Sequence, residues 1–321
     1  MRVLLWWSGR LLSGAATLAG VSVLIFVAVR LMPGSFAETI LGPFATSGQK
    51  DALAARYGLD EPVFLQYWHW LAAVGQGDFG FSMISRQPVS AELRARLPVT
   101  AEISGLAVVV AVLAGVPLGV LTAVRARPGG GGAAGRLFSG LGVSVPEFVL
   151  GSLVVFLFSR YSLGLKTGGY VPFGEDPAGN VRSLVLPALV LSVFAVSAVA
   201  RTTRDAALGV LIEPYVTAAV ARGASPWSIV RHHVLRNAAP PVVTLTATIA
   251  AYLLGGALIV EYVFNLPGIG SYTVQAIGRR DYAVVQACVL LTAAVFIVMN
   301  VLVDLAVRLI DPRLGGEVAA R

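Results

Sequence analysis

Tyr215–Asn237 reads YVTAAVARGASPWSIVRHHVLRN, a basic stretch punctuated by glycine and proline and set between two long apolar runs, Leu184–Ala200 and Ala238–Val260. Packing within a bilayer gives no reason to keep such a segment. It must meet something outside the hydrocarbon, and its flanks read as membrane spans. Pro214 suits the first turn of a helix and Glu213 its positive end. From there Tyr215, Ala218, Ala219 and Arg222 share one face at i, i+3, i+4 and i+7 spacing. Gly223 is a natural stop, since glycine takes the left-handed cap without strain. Ala224 then leads into Ser225 and Pro226, an N-cap and first-turn pair that opens a second helix. On that helix Trp227, Val230 and Val234 repeat apolar character at helical spacing, and Asn237 is placed to cap the next span, with Pro240 and Pro241 in or near its first turn. The pattern predicts helix, glycine corner, helix beneath a membrane. It fits a hairpin lying on the bilayer and a docking site for another protein equally well.

Working outward, the 321-residue chain is 56% hydrophobic and only 13% charged, about half the charge of a soluble domain. Apolar runs of about 20 residues recur, each long enough to cross roughly 30 Å of hydrocarbon as a helix. The alternating short segments of an outer-membrane barrel are not the pattern. Six spans follow: Leu11–Met32, Val99–Val124, Leu137–Phe158, Leu184–Ala200, Ala238–Val260 and Val284–Val307. The short loops assigned to the inside carry Arg125, Arg127, Arg136, Arg201, Arg204, Arg222, Arg231 and Arg236 against Asp205 and Glu213, which places both termini in the cytoplasm. The formal charge of +7 is this helix-end arginine, and no aromatic-basic interleaving suggests nucleic acid. The first run is too long for a signal peptide and ends in no cleavage pattern, so it reads as an uncleaved anchor.

The predicted organisation is an anchor at 1–32, an extracytoplasmic insertion at 33–98 and a membrane core at 99–321 that contains the cytoplasmic loop 205–236. Within the insertion, helices are expected around Gln49–Tyr57 and Val63–Val74. The glycine run Gly129–Gly132 has no lysine after it and opens no strand-helix unit, so it reads as a linker. No internal repeat is visible, which weighs against an inverted-repeat secondary transporter.

Four polar residues stand inside or beside spans. Glu147 follows Pro146 in the middle of the third run, where a charge costs about 2.5–3.5 kcal/mol. It reads either as a carboxylate lining a pathway or as a helix-packing group. Glu261, at the outer end of the fifth span, reads as a partner of the Pro267–Gly270 turn or part of a gate. Asn300 and Asp304 share a face at i, i+4 and read as interhelical or capping groups. The lone Cys288 excludes an intramolecular disulfide. His69, His232 and His233 form no metal set, and no HExxH, nucleophile elbow or P-loop lysine occurs.

Many short motifs, in order along nearly the whole chain, resemble one family. They begin with Leu31-Met32-Pro33-Gly34, with Ser35 where an aspartate is usual, followed by Tyr57-Gly58-Leu59-Asp60 and Gln66-Tyr67. Gly77-Asp78-Phe79-Gly80-Phe81-Ser82, Gln87-Pro88-Val89 and Leu97-Pro98-Val99-Thr100 continue the series. The central loop contributes Tyr215-Val216, Ala219, Ala221, Arg222-Gly223, Arg231, His233 and Leu235–Ala238. Gly255-Gly256, Val260-Glu261, Pro267-Gly268, Arg280-Asp281-Tyr282, Asn300, Asp304 and Asp311-Pro312-Arg313 complete it. On these residues the chain resembles a permease subunit of the dipeptide/oligopeptide/nickel ATP-binding-cassette importers, the type with a large first outer loop.

The resemblance implies an all-α, six-helix permease of the type I importer kind in a bacterial cytoplasmic membrane. It implies a second related permease, two cytoplasmic ATPases that carry the ATP and Mg, and an extracytoplasmic substrate-binding lipoprotein. No cofactor, metal or catalytic residue is implied on this chain. Tyr215–Trp227 becomes the ATPase-coupling hairpin of Tyr215, Ala218, Ala219, Arg222, Gly223, Ala224, Ser225, Pro226 and Trp227. Ala218 and Val220 stand where threonine and arginine are usual, which removes two polar contacts. Peptides are the expected cargo, with nickel chelates a further option. The competing function is a stand-alone secondary transporter, which needs no docking hairpin.

Overall fold

The structure, a computed structural model, describes residues 2–31, 41–42, 45–56, 60–126, 145–161 and 164–310. The motif residues at 32–35, 57–59 and 311–313, the glycine run and the start of the third predicted span lie outside them. The described elements are α1 (Arg2–Leu31), α2 (Ser47–Arg56), α3 (Val63–Gly75), α4 (Val89–Val124), α5 (Glu147–Arg160) and α6 (Pro177–Leu211). They continue with α7 (Pro214–Ala221), α8 (Pro226–Ile229), a π-turn (Val230–Val234), α9 (Leu235–Gly256), α10 (Leu258–Val263), α11 (Ile269–Arg279) and α12 (Tyr282–Ile310). No strand is present among the described residues, only an isolated bridge between Phe81 and Pro88. Among the described residues, five helical stretches are long and apolar enough to cross a membrane: Trp7–Leu31, Val89–Val124, Pro177–Leu211, Pro226–Gly255 and Tyr282–Leu305.

The chain divides into two compact units, Met1–Thr100 with Pro267–Ile297, and Ala101–Leu266 with Val298–Arg321. The segment Pro267–Ile297, read from sequence as part of the membrane core, therefore packs with the N-terminal region. In this first unit Ile25 and Val29 of α1, Val89 and Leu93 of α4, and Ile269, Tyr282, Val284 and Cys288 share one buried cluster. The loop before α4 rests on this cluster through Phe79 and Met83 and is further held by polar ties. Asp281, only 3% exposed, accepts from the Ser82 hydroxyl and, at 3.2 Å, from the Met83 N–H. The Thr100 hydroxyl accepts the Ile269 N–H at 3.0 Å, satisfying one orphan donor at the start of α11. Arg96 forks onto Glu92 at 2.8 and 2.9 Å and lies 4.2 Å over the Tyr272 ring.

In the second unit α4 and α6 approach closely. A Cβ on Gly119 would lie 2.5 Å from Thr203 Cβ and 2.6 Å from the Ala200 carbonyl, and one on Gly115 would lie 2.9 Å from Val199. This is the small-xxx-small spacing by which membrane helices let their backbones meet. Glu102 on α4 accepts from the Tyr170 hydroxyl at 3.0 Å and the Asn180 amide at 2.9 Å, and Asn180 also donates to the Val171 carbonyl. These bonds fasten the loop before α6. Burial, with Glu102 reinforcing it, pushes the Tyr170 phenol up to about 12.

Several boundaries move from their expected places. The helix α6 runs past Arg201 and Arg204 to Leu211. The insertion read as 33–98 gives its last ten residues to α4. Asn237 caps nothing: the helix is continuous through it, and its amide donates to the His233 carbonyl at 2.7 Å. Pro240 and Pro241 sit inside α9 rather than in a first turn.

Candidate functional site

The site is the connection between α6 and α9. Two residues, Ile212 and Glu213, separate α6 from α7, and Pro214 occupies the first position of α7 behind an extended Glu213. At the other end of α7 the Gly223 N–H donates to the Val220 carbonyl at 2.9 Å and the Ala224 N–H to the Ala219 carbonyl at 3.1 Å. Gly223 has φ +82. These bonds and that dihedral make a Schellman corner. Ser225 follows as a true N-cap, its hydroxyl accepting the Ser228 N–H at 3.3 Å, with Pro226 in the first turn of α8. The predicted helix, glycine corner and helix are all present.

One side of this hairpin is buried. Val216, Ile229 and Val234 pack with Ala123 at the end of α4 and with Ala207 and Val210 near the end of α6, and Ala224 leans on the same cluster. The other side faces outward: Tyr215, Ala218, Arg222 and Trp227 are exposed, Trp227 by 70%. The Tyr215 ring lies 5.9 Å from that of His233. Ala219 corrects the expected face. It is 3% exposed and points with Val216 into the hairpin's support, so it holds the corner rather than offering a surface. The outward neighbour is Val220, 56% exposed.

The π-turn had no counterpart in the sequence reading. Its wide turn sends the Leu235 N–H back five residues to the Val230 carbonyl. A π-turn inserts one residue into a helix and is frequent at functional sites. Here it joins α8 to α9 without a break, so the hairpin's second arm is the first turns of a membrane-length helix. Trp227 and α9 thus belong to one continuous helical stretch, Pro226–Gly255. Sequence offered one unused signal for the support beneath: Gly115 and Gly119, four apart in α4.

The remaining predicted residues are not gathered with the hairpin. Glu147 is half-buried and is the first residue of α5, behind an extended Pro146, rather than a mid-helix charge. A carboxylate suits that end of a helix. One turn on, Gly151 faces Val263 and Phe264 across the packed pair α5 and α10. Glu261 lies on α10 and is fully buried, and its carbonyl accepts the Leu266 N–H at 2.8 Å. Asn300 and Asp304 are partly buried on α12. No group of three or more metal-ligating side chains occurs among the described residues.

Comparison with known proteins gives the same frame for nearly all of the chain. Residues 115–316 match the binding-protein-dependent transport system inner membrane component model, and residues 3–104 match its N-terminal companion. A "Probable peptide ABC transporter permease protein y4tP" of Sinorhizobium fredii is 40% identical over 308 residues, covering 95% of this chain and 97% of that protein. The glutathione transport system permease protein GsiC of Salmonella typhimurium is 39% identical over 303 residues, 94% and 96% of the two chains. Its Escherichia coli K12 counterpart is 37% identical over the same span. A solved structure titled as inward-facing conformations of the MetNI methionine ABC transporter superposes with a TM-score of 0.52 at 22% identity, covering 68% of this chain and 95% of that one. That likeness bears on the fold.

Proposed function

The chain belongs to the family of binding-protein-dependent transport system inner membrane components, and on that premise we propose that it forms half of the pathway of an ATP-driven importer of peptides or peptide-like solutes such as glutathione. The observation that carries this reading is the hairpin at Tyr215–Trp227. It is buried on one side against the ends of α4 and α6, closed by a glycine corner, and exposed on the other through Tyr215, Ala218, Arg222 and Trp227. Such a knob is shaped to be gripped and is built into the helix it moves. A second permease, two cytoplasmic ATPases holding ATP and Mg, and an extracytoplasmic binding protein complete the assembly, with both termini of this chain in the cytoplasm.

In this reading ATPase closure pushes the hairpin, and α8, the π-turn and α9 carry the displacement into the membrane. Coupling of this kind needs a bistable packed element and no catalytic group. Ala218 and Val220 supply no side-chain hydrogen bond, so shape and the exposed Arg222 and Arg231 guanidiniums carry more of the grip. Glu147, at the head of α5, stands on the pathway wall. The fully buried Glu261 acts there through packing, not by touching solute.

Co-purification tests the reading. Capture of a second permease and two ATPases with the tagged chain, and uptake that requires ATP, are the expected results. A solitary chain that transports without ATP would overturn it in favour of a secondary transporter. Loss of uptake for one charge class of solute in Glu147→Gln supports the pathway assignment, and unchanged uptake of every class removes it.

A further inference from the structure

The helix α3 (Val63–Gly75) has a composition that its surroundings do not explain. Its sequence VFLQYWHWLAAVG is apolar nearly all round, yet none of its residues is fully buried. Tyr67 and Trp70 pack on α1, with ring centroids 5.1 and 5.6 Å from Phe26. The Tyr67 hydroxyl lies 2.8 Å from that of Ser22, and Arg30 both covers the Phe26 ring at 3.7 Å and donates to Gln66. On the opposite face Phe64, Trp68 and Ala72 form an i, i+4, i+8 stripe that is exposed, Phe64 by 71% and Trp68 by 59%, and Leu65 flanks it.

The partners on α1 fix the depth of this helix. Ser22 to Arg30 covers about 12 Å of helix rise, and these residues are the final turns of the Trp7–Leu31 span. Over the same turns α1 exposes Val23, Leu24 and Val27, a face that suits acyl chains. A helix of 13 residues is about 20 Å long and too short to cross the bilayer. A short helix that is largely apolar with a narrow polar side, carries Trp and Tyr and lies level with the end of a span has the properties of an interfacial segment. Its only polar side chains, Gln66 and His69, lie to one side, and His69 pairs with Glu61 at 3.2 Å in an exposed position. The helix carries neither lysine nor arginine, so anionic lipid is not required.

We propose that α3 is a membrane-surface anchor. It lies along the headgroup–acyl boundary of the leaflet at the Leu31 end of α1, with Phe64, Trp68 and Ala72 immersed in lipid and His69 toward water. It rests on the multi-pass reading, and the sidedness proposed above makes this the extracytoplasmic leaflet. The segment between α1 and α4 is then tethered along the membrane rather than projecting freely.

Site-directed spin labelling of the full-length protein in phosphatidylcholine/phosphatidylglycerol nanodiscs tests this. Labels are placed one at a time by Phe64→Cys, Trp68→Cys, His69→Cys and Leu24→Cys in a Cys288→Ala background. Collision with oxygen, which partitions into lipid, is compared with collision with a water-soluble nickel chelate. The expected oxygen-to-nickel ratio at positions 64 and 68 is several-fold above that at 69 and approaches that at 24. Ratios at 64 and 68 equal to that at 69, with 24 lipid-like, would overturn the anchor and leave the membrane reading intact. A water-like ratio at 24 would sink both. Shielding from both reagents, or nickel access lost only on adding an extracytoplasmic binding protein, would mean that protein covers the face and would also overturn the proposal. If labelling disturbs the fold, the Trp68→Phe difference in fluorescence quenching by brominated phosphatidylcholine decides the same question: lipid quenching of Trp68 supports the anchor, and its absence overturns it.

Discussion

Two helix corners in this protein use one bond pattern and solve it with different residues. After α7, Gly223 takes φ +82, with Ala224 bonded back to Ala219 and Gly223 to Val220. After α11, Arg280 takes φ +57, with Asp281 bonded back to Ala276 and Arg280 to Ile277. Glycine enters the left-handed region freely, whereas a side chain pays roughly 1–2 kcal/mol. The second corner tolerates arginine because the next residue, Asp281, is clamped by Ser82 and Met83. The first corner has no polar clamp of this kind: Ala224 rests on an apolar cluster, and a Cβ on Gly223 would meet nothing within 4 Å. One corner is fixed by local residue choice, the other by contacts that arrive from nearly 200 positions away.

The largest effect is expected at the unclamped corner. Gly223→Val adds left-handed strain of roughly 1–2 kcal/mol and places a branched side chain on the face proposed to meet the ATPase. Space within the chain itself is open, so the protein should still fold and insert. Uptake by the reconstituted importer should fall to near background, with loss of solute-stimulated ATP hydrolysis. Gly223→Asn, whose side chain tolerates this region better, should retain more. Wild-type coupling in the valine variant would mean the corner is not the contact.

The clamp itself is the next target. Asp281→Ala leaves the Ser82 hydroxyl and the Met83 N–H without their acceptor in a buried place, a loss of about 2–4 kcal/mol. Thermal unfolding in detergent should shift down, and limited proteolysis should open the 77–88 segment first. Unfolding at the wild-type temperature would show that Asp281 neither holds the corner nor satisfies Ser82 and Met83 to any measurable effect.

This contrast also explains what could be read from sequence. Gly223, and the Ser225–Pro226 pair, are local codes whose meaning is complete within a few residues, and the structure contains both. Of the six spans expected from composition, five coincide with membrane-length helices among the described residues. The Asp281 clamp and the Glu102–Tyr170–Asn180 set join residues far apart in the chain, and no local pattern announces them. Ala218 and Ala219 are the same residue type one position apart, and only the packing beneath α7 decides that the second turns inward. Pro240 and Pro241 lie inside α9 although a proline pair usually marks a helix start, because neighbouring helices in a membrane bundle let it sit inside one. The π-turn is a backbone event with no residue signature, whereas Gly115 and Gly119, four apart, are a local code for close helix approach.

A smaller effect separates the local code from its surroundings. Ser225→Ala removes the one side-chain cap of α8 and should cost about 1 kcal/mol. Because α8 continues through the π-turn into α9, the loss should appear as faster amide exchange at Trp227–Ser228 and not as global unfolding. Unchanged exchange there would show that burial of Ile229 and Val234 alone holds the arm.

The smallest effect is expected from repairing the second corner. Arg280→Gly relieves roughly 1–2 kcal/mol of left-handed strain but loosens the unfolded chain by about 0.4–1 kcal/mol. The net change is a stabilisation of at most about 1.6 kcal/mol, read as a slightly raised unfolding temperature. Combined with Asp281→Ala, it discriminates between two accounts of the clamp. If the clamp mainly holds arginine in its strained dihedral, glycine at 280 should recover part of the Asp281→Ala loss. If Asp281 acts only by satisfying Ser82 and Met83, the two changes should add independently. A fall in stability from Arg280→Gly alone would show that the arginine side chain, exposed as it is, contributes more than its backbone strain removes.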